Sequence, residues 1–470
     1  MARTALDNEI NYSGLGTNTR IGMHGNNNSY ANFHGSINEV SVWSDGLNHA
    51  QIQQVMNNGL NGNEDDLVGY WKFDAGTDTI AYDHSGNANH GDINGASWAV
   101  SLTYVPDDNF EQALIDLGYD DVLDNYVVTD SISGVTSLNV YSKSISDLTG
   151  IEAFVALNEL TCGTNPLGEV DLSNNTALTS LSIGLSQLTS LDLSNNTSLT
   201  SLICHLNGLT SLDLSANTAI TSISCRNNNL TELVLGNNTA LTQLWCYGNQ
   251  LTSLDVSANT SLTTLNCYGN QLTSLDVSNN TLLTYLHAGT NQLTALDVSQ
   301  NTELTTLWVG FNSLDSMDVS ANTALTDLRF PGNELTALDV STNTVLEHLD
   351  LWVNQLTALD VNNNTALTTL KASSNDIIAL DVSANTALTT LYCENNQLTY
   401  LNMRNGITDG LTTFNATNND SLDCIETLDP DYATANWTYA NGNIDDGVTF
   451  SVLCGSTDLS NWYVDTTGSD

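Results

Sequence analysis

Leu241–Ser261 reads LTQLWCYGNQLTSLDVSANTS, and its spacing recurs every 21 residues from Leu157 to Ala387, eleven times without an insertion. A period of this size predicts a solenoid, because one short coil buries its apolar residues only by stacking on its neighbours. Six positions per unit are apolar: Leu241, Leu244, Cys246, Leu251, Leu254 and Val256. They fall as LxxLxC and, ten residues on, LxxLxV, so the unit is two similar half-turns. Within each half, apolar and polar residues alternate, which is strand periodicity. One coil is therefore expected to hold two short strands joined by two turns, and the stack to hold two parallel sheets. At a strand spacing of about 4.8 Å, a dozen coils give a rod or shallow arc about 55–60 Å long.

Two Asn columns mark the turns. One runs through Asn249, Asn270, Asn291, Asn312, Asn333, Asn354, Asn375 and Asn396, the other through Asn259, Asn280, Asn301, Asn322, Asn343, Asn364 and Asn385. A turning backbone leaves N–H and C=O groups without ladder partners, and Asn supplies both a donor and an acceptor for them.

The motif LxxLxCxxNxL, of which Leu241–Leu251 is one copy, resembles the leucine-rich-repeat family. Val135–Ala156 is similar to the 22-residue internalin type of repeat, with Leu138, Val140, Ile145, Leu148 and Ile151 as its apolar set. The second half-turn, LDVSxNT, departs from the common family pattern and implies a strand where many relatives have helix. The fold class expected is thus a mainly β solenoid of 21-residue coils, preceded by a partial β-sandwich. That segment rests on Ala31–Leu60 and Leu67–Trp98, which resemble the closing and opening parts of a laminin-G-like (concanavalin A-type) jelly roll. Their order is reversed for one complete domain, so they are either an incomplete sandwich or two segments pairing as its first and last strands. Within them Asn48–Met56 is expected to be helical.

The domain organisation expected is a laminin-G-like segment over 1–100, an N-terminal cap over 101–134 with a helix in Pro106–Gly118, repeats over 135–426, a C-terminal cap over 427–456, and a linker or truncated domain over 457–470. Asn461–Asp470 resembles the first strand of a right-handed β-helix, which would imply an accessory segment of a polysaccharide-degrading enzyme.

Lys and Arg number 8 against 53 Asp and Glu, a net charge of −45, which disfavours nucleic acid and anionic membranes as partners. No apolar run approaches the roughly 20 residues of a membrane span. The first residues lack the apolar core of a signal peptide. With the rest of the chain reading as extracellular or cell-surface, the expectation is an internal piece of a longer secreted protein.

Six cysteines, Cys162, Cys204, Cys225, Cys246, Cys267 and Cys393, share one column with Ile183, Val309, Phe330 and Leu351. They read as buried free thiols. A single column on parallel strands gives no tetrahedral convergence for a metal. Cys424 and Cys454 lie outside the column and are expected to clasp the C-terminal cap as a disulfide in an oxidising compartment.

The outward positions of the first strand vary in a way that the scaffold columns do not. Trp245, Tyr247, Tyr268, Tyr285, His287, Trp308, Arg329, Trp352, Lys371 and Tyr392 fall there, and they form the candidate ligand-binding face. Large rings on a solvated face bring no folding gain unless a ligand or a neighbouring ring covers them. The ligand expected is a glycan or a protein; the competing readings are cross-strand stacking alone, in a structural spacer. A second outward column, including Asp255, Asp276, Asp297, Asp318 and Asp339, places carboxylates side by side. Hydrogen bonds from turn N–H and hydroxyl groups offset their repulsion, or calcium bridges them; no other cofactor is implied. No catalytic motif is present, and the chain reads as a non-enzyme. Asp83, His84 and His90 read as a structural loop in preference to a metal cluster.

Overall fold

The computed structural model describes residues 37, 39–73, 79–93 and 100–455. The chain divides into two compact units, Met1–Ser101 and Leu102–Asp470.

In the first unit Val40–Trp43 pairs antiparallel with Leu67–Trp71. Between them runs the helix His49–Asn58, started by a capping box in which Asn48 accepts from the Gln51 N–H at 3.1 Å and Gln51 accepts from the Asn48 N–H at 2.9 Å. Leu67, Tyr70 and Trp71 are buried. The two quoted segments thus contribute one strand each to an antiparallel pair. Residues 31–36, 38, 74–78 and 94–98 of those motifs lie outside the described residues, as does Asn461–Asp470.

The second unit opens with Leu102–Tyr104 paired to Tyr126–Val128 and a helix at Asp108–Asp116. Asp107 caps that helix and also ties it to the first repeat. Its Oδ1 accepts from the N–H groups of Asn109 and Phe110, and its Oδ2 from the N–H and hydroxyl of Ser146. Phe110, Ala113 and Leu114 close the end of the core.

From Ser137–Asn139 to Thr413–Asn415, fourteen strands form one parallel sheet. Neighbours pair in register at 21-residue offsets through the repeats: Gln243 with Thr264, Leu244 with Leu265, Trp245 with Asn266. Leu241, Leu244, Cys246 and Leu251 are fully buried, and the same positions are buried coil after coil. Each such leucine removes enough apolar surface from water to stabilise the stack by about 1.5–3 kcal/mol. All six column cysteines are buried free thiols.

The second flank differs from the expected continuous strand ladder. It forms ladders only at Ser211–Asp213 with Glu232–Val234 and in a four-stranded sheet running from Ala379–Asp381 to Thr449–Ser451. Between these, Leu254 and Val256 and their equivalents stay buried, yet their segments form no strand. Alternation records which side chains turn inward; it does not require the neighbouring coil to come within hydrogen-bonding distance. In these coils the second turn is held by side chains instead. Asn280 Nδ2 donates to the carbonyls of Val256 and Asn259 in the preceding coil at 3.0 and 2.8 Å.

The C-terminal end closes with the helix Pro430–Asn436. Trp437 packs on Phe414, with ring centroids 4.8 Å apart, and on Phe450. Cys424 and Cys454 are joined by a disulfide. No helix among the described residues is long and apolar enough to cross a membrane.

Candidate functional site

Parallel pairing in register puts the outward side chains of successive strands in rows. One row runs Trp245, Asn266, His287, Trp308, Arg329, Asp350, Lys371, Tyr392, and its companion holds Tyr285, Asp327 and His348. Trp245 and Tyr285 are 6.0 Å apart between ring centroids, Tyr285 and Trp308 5.6 Å, His287 and Trp308 5.1 Å, and Tyr268 and His287 4.7 Å. The guanidinium of Arg329 sits 4.3 Å from the centroid of Trp308. It is held there by two bonds to the Asp327 carboxylate at 2.8 and 2.7 Å. Six of the ten expected residues, Trp245, Tyr268, Tyr285, His287, Trp308 and Arg329, therefore form one contiguous cluster.

The other four stand apart from it. Tyr247 accepts from Arg226 Nη1 at 2.8 Å. Lys371 pairs with Asp350 at 3.5 Å and lies in register beside Tyr392. Trp352 meets Phe311 edge-on at 6.3 Å.

Burial and the nearby Arg329 charge push His287 down to about 4, so it is neutral at physiological pH. Burial also raises Tyr285. The cluster is thus a set of neutral rings with one anchored cation. The Nε1 of Trp308 is buried without a hydrogen-bond partner.

This combination of coil, register and core is shared with known proteins. The model for leucine-rich repeats in two copies matches residues 239–280. The solved functional domain of internalin J (InlJ) from Listeria monocytogenes, described as including a cysteine ladder, is 32% identical, and the alignment covers 71% of this chain and 78% of that one with a TM-score of 0.57. The chain belongs to the leucine-rich-repeat family. A second internalin structure, InlF of the same species, shares the fold at 22% identity and TM-score 0.57, over 68% of this chain and 95% of that one. Full-length internalin J of Listeria monocytogenes serotype 4b (strain F2365) aligns at 36% identity over 73 residues, 16% of this chain and 8% of that protein. In this chain Cys204, Cys225, Cys246 and Cys267 fall one per successive coil, each a buried free thiol.

On the second flank of the repeats, the Asp column serves the turns. Oδ1 of Asp255, Asp276, Asp297, Asp318 and Asp339 accepts from the N–H of Ser257, Ser278, Ser299, Ser320 and Ser341 at 2.8–2.9 Å. The serine hydroxyls and N–H groups together hold these carboxyls below their ordinary range. Among the described residues no three His, Cys, Asp or Glu converge to hold a metal ion.

Asp83 is likewise a structural acceptor. Burial works against its charge. It nonetheless takes bonds from the N–H groups of Tyr70, Ser85 and Asn89 and from the Ser85 hydroxyl, and these lower its pKa. His90 Nδ1 accepts from the Asp83 N–H at 3.0 Å.

Sequence reasoning missed Asp327, the partner that orients Arg329. It also missed the column just after each first strand. There Leu185, Leu206, Thr290, Phe311 and Val353 take φ of +51° to +59°, alongside Gly248, Gly269 and Gly332. The signal available was the appearance of Gly and Asn227 in that column, the residues that adopt this region most readily.

Proposed function

We propose that this chain is an extracellular, non-catalytic adhesion module. In this reading the repeats recognise a protein partner through the outward face of the long sheet, and the N-terminal laminin-G-like segment is an accessory. The observation that carries the proposal is the contiguous cluster from Trp245 to Arg329 on one sheet. Aromatic and Arg residues are the usual anchors of protein interfaces. The likeness to the internalins of Listeria monocytogenes supports the same class of role.

A protein suits the face better than a glycan. Sugar rings stack on open aromatic faces, whereas Arg329 lies over Trp308, and Tyr285 and His287 meet it edge-on. The same contacts give the competing structural reading its strength, since each ring pair stabilises the sheet by about 0.5–1.5 kcal/mol without any ligand.

Wild-type protein and a Trp245→Ala/Trp308→Ala variant, both applied to a protein microarray and a glycan array, separate the readings. Protein hits lost in the variant support the proposal. Glycan hits alone would replace protein by carbohydrate as the ligand class. No hits on either array, together with a lowered melting temperature for the variant, would leave the rings a purely structural role.

A further inference from the structure

Beside the aromatic face, the rim of the sheet carries an apolar patch at a position where the backbone disfavours it. Phe311 and Val353 take φ of +57° and +58°, and they are 50% and 40% exposed. Bulky and β-branched residues are poorly tolerated there, and Gly or Asn would relieve the strain. The coil between them supplies Gly332, at φ +63°. A Cβ on Gly332 would come within 2.6 Å of Phe311 Cδ1, so only glycine leaves room for that ring. Trp352, 43% exposed, meets Phe311 edge-on and completes the patch. Every coil takes this conformation at the same place, so the backbone belongs to the repeat; what marks this rim is two exposed apolar side chains, two coils apart, gathered with an exposed Trp beside them.

The surroundings select the partner. Of the nine Asp and Glu from Phe311 to Asp376, Asp318, Asp339 and Asp360 serve turns on the second flank, which leaves Asp315, Glu334, Glu347 and Asp376 beside the two that hold cations. Both cations, Arg329 and Lys371, are already held by Asp327 and Asp350. Glu334, two residues beyond Gly332, is exposed. A second copy of this chain, equally acidic, would be repelled. We infer that the rim formed by Phe311, Trp352 and Val353 is an anchoring site for a protein segment that carries a large apolar side chain flanked by lysine or arginine. This deepens the protein-binding reading by naming the partner's chemistry, and it stands mainly on residues outside the ring cluster.

The test uses short fluorescent peptides, Lys-Lys-Leu-Lys-Lys, Lys-Lys-Gly-Lys-Lys and Glu-Glu-Leu-Glu-Glu, titrated against the full chain. Wild type should prefer the lysine-flanked leucine peptide to the glycine peptide by about tenfold, the scale of one buried anchor. A Phe311→Asn/Val353→Asn variant should lose that preference while melting at an unchanged or higher temperature, and Phe311→Gly should behave alike. The Trp245→Ala/Trp308→Ala variant should keep it, so the rim is tested apart from the face. Equal binding of the leucine and glycine peptides, tight binding of the glutamate peptide, or a preference surviving in both rim variants would overturn the inference.

Discussion

Asn270 and Asn280 sit ten residues apart, one in each of a coil's two turns, and they are bonded differently. Asn270 donates Nδ2 to Cys246 and Cys267 and accepts from the Leu251 N–H with Oδ1. Asn280 donates to two carbonyls, while its Oδ1 is buried with no partner. Asn270→Ala should therefore cost about 1 kcal/mol more than Asn280→Ala, the difference of one hydrogen bond, measured by denaturant unfolding. Two neutral asparagine columns look alike in a sequence, and only coordinates show which oxygen meets an N–H. His287 offers a second check. Its pKa falls from 6.5 to about 4 on folding, so between those values the unfolded chain binds more protons. This residue's contribution makes stability rise with pH across that window and level off above 6.5. His287→Gln should flatten that part of the stability–pH curve, and an unchanged curve would mean that the imidazole is not desolvated as described.

At the scale of elements, the long sheet was legible because eleven copies could be compared. A column reading Leu181, Leu202, Ile223, Leu244 admits only a core position. The incomplete second ladder was not legible, since Leu254 and Val256 face inward with or without a bonded neighbour strand. Nor were the ring contacts of Tyr285 and Trp308, which depend on side-chain rotamers as well as on position. Of the ten face residues, register alone aligned the rows, but Asp327 was needed to hold Arg329 over Trp308. The C-terminal cap gives this scale its own prediction. The Cys424–Cys454 bond closes a separation of 30 residues and joins the last coil to the segment after Thr449–Ser451. Its reduction should destabilise the cap by about 2–4 kcal/mol and expose amides there to hydrogen exchange, with the central coils unaffected.

For the molecule as a whole, the dominant physical fact is a net charge of −45. Like charges along a stack oppose its compact state, and salt screens them over about 10 Å at 0.1 M. The melting temperature should climb with sodium chloride from 10 mM to 0.5 M. Calcium should do no more than magnesium at equal ionic strength, given carboxylates already engaged in turns; a calcium-specific rise would point to coordinated ions.

The asparagine and threonine side chains that bridge the coils all lean the same way. Asn280 and Thr284 donate to the coil before them, as Asn301 and Thr305 do in the next. These side-chain bonds therefore have a direction, each coil donating to the one before it, while backbone N–H groups such as those of Cys246 and Leu251 donate to the coil after. Severed between two repeats, the fresh surfaces would fit each other, and pieces could join nose to tail into fibres. Asp107 at one end, and Asn443, which donates to the Phe414 carbonyl, at the other, are among the groups that occupy the outermost coils in place of a further repeat.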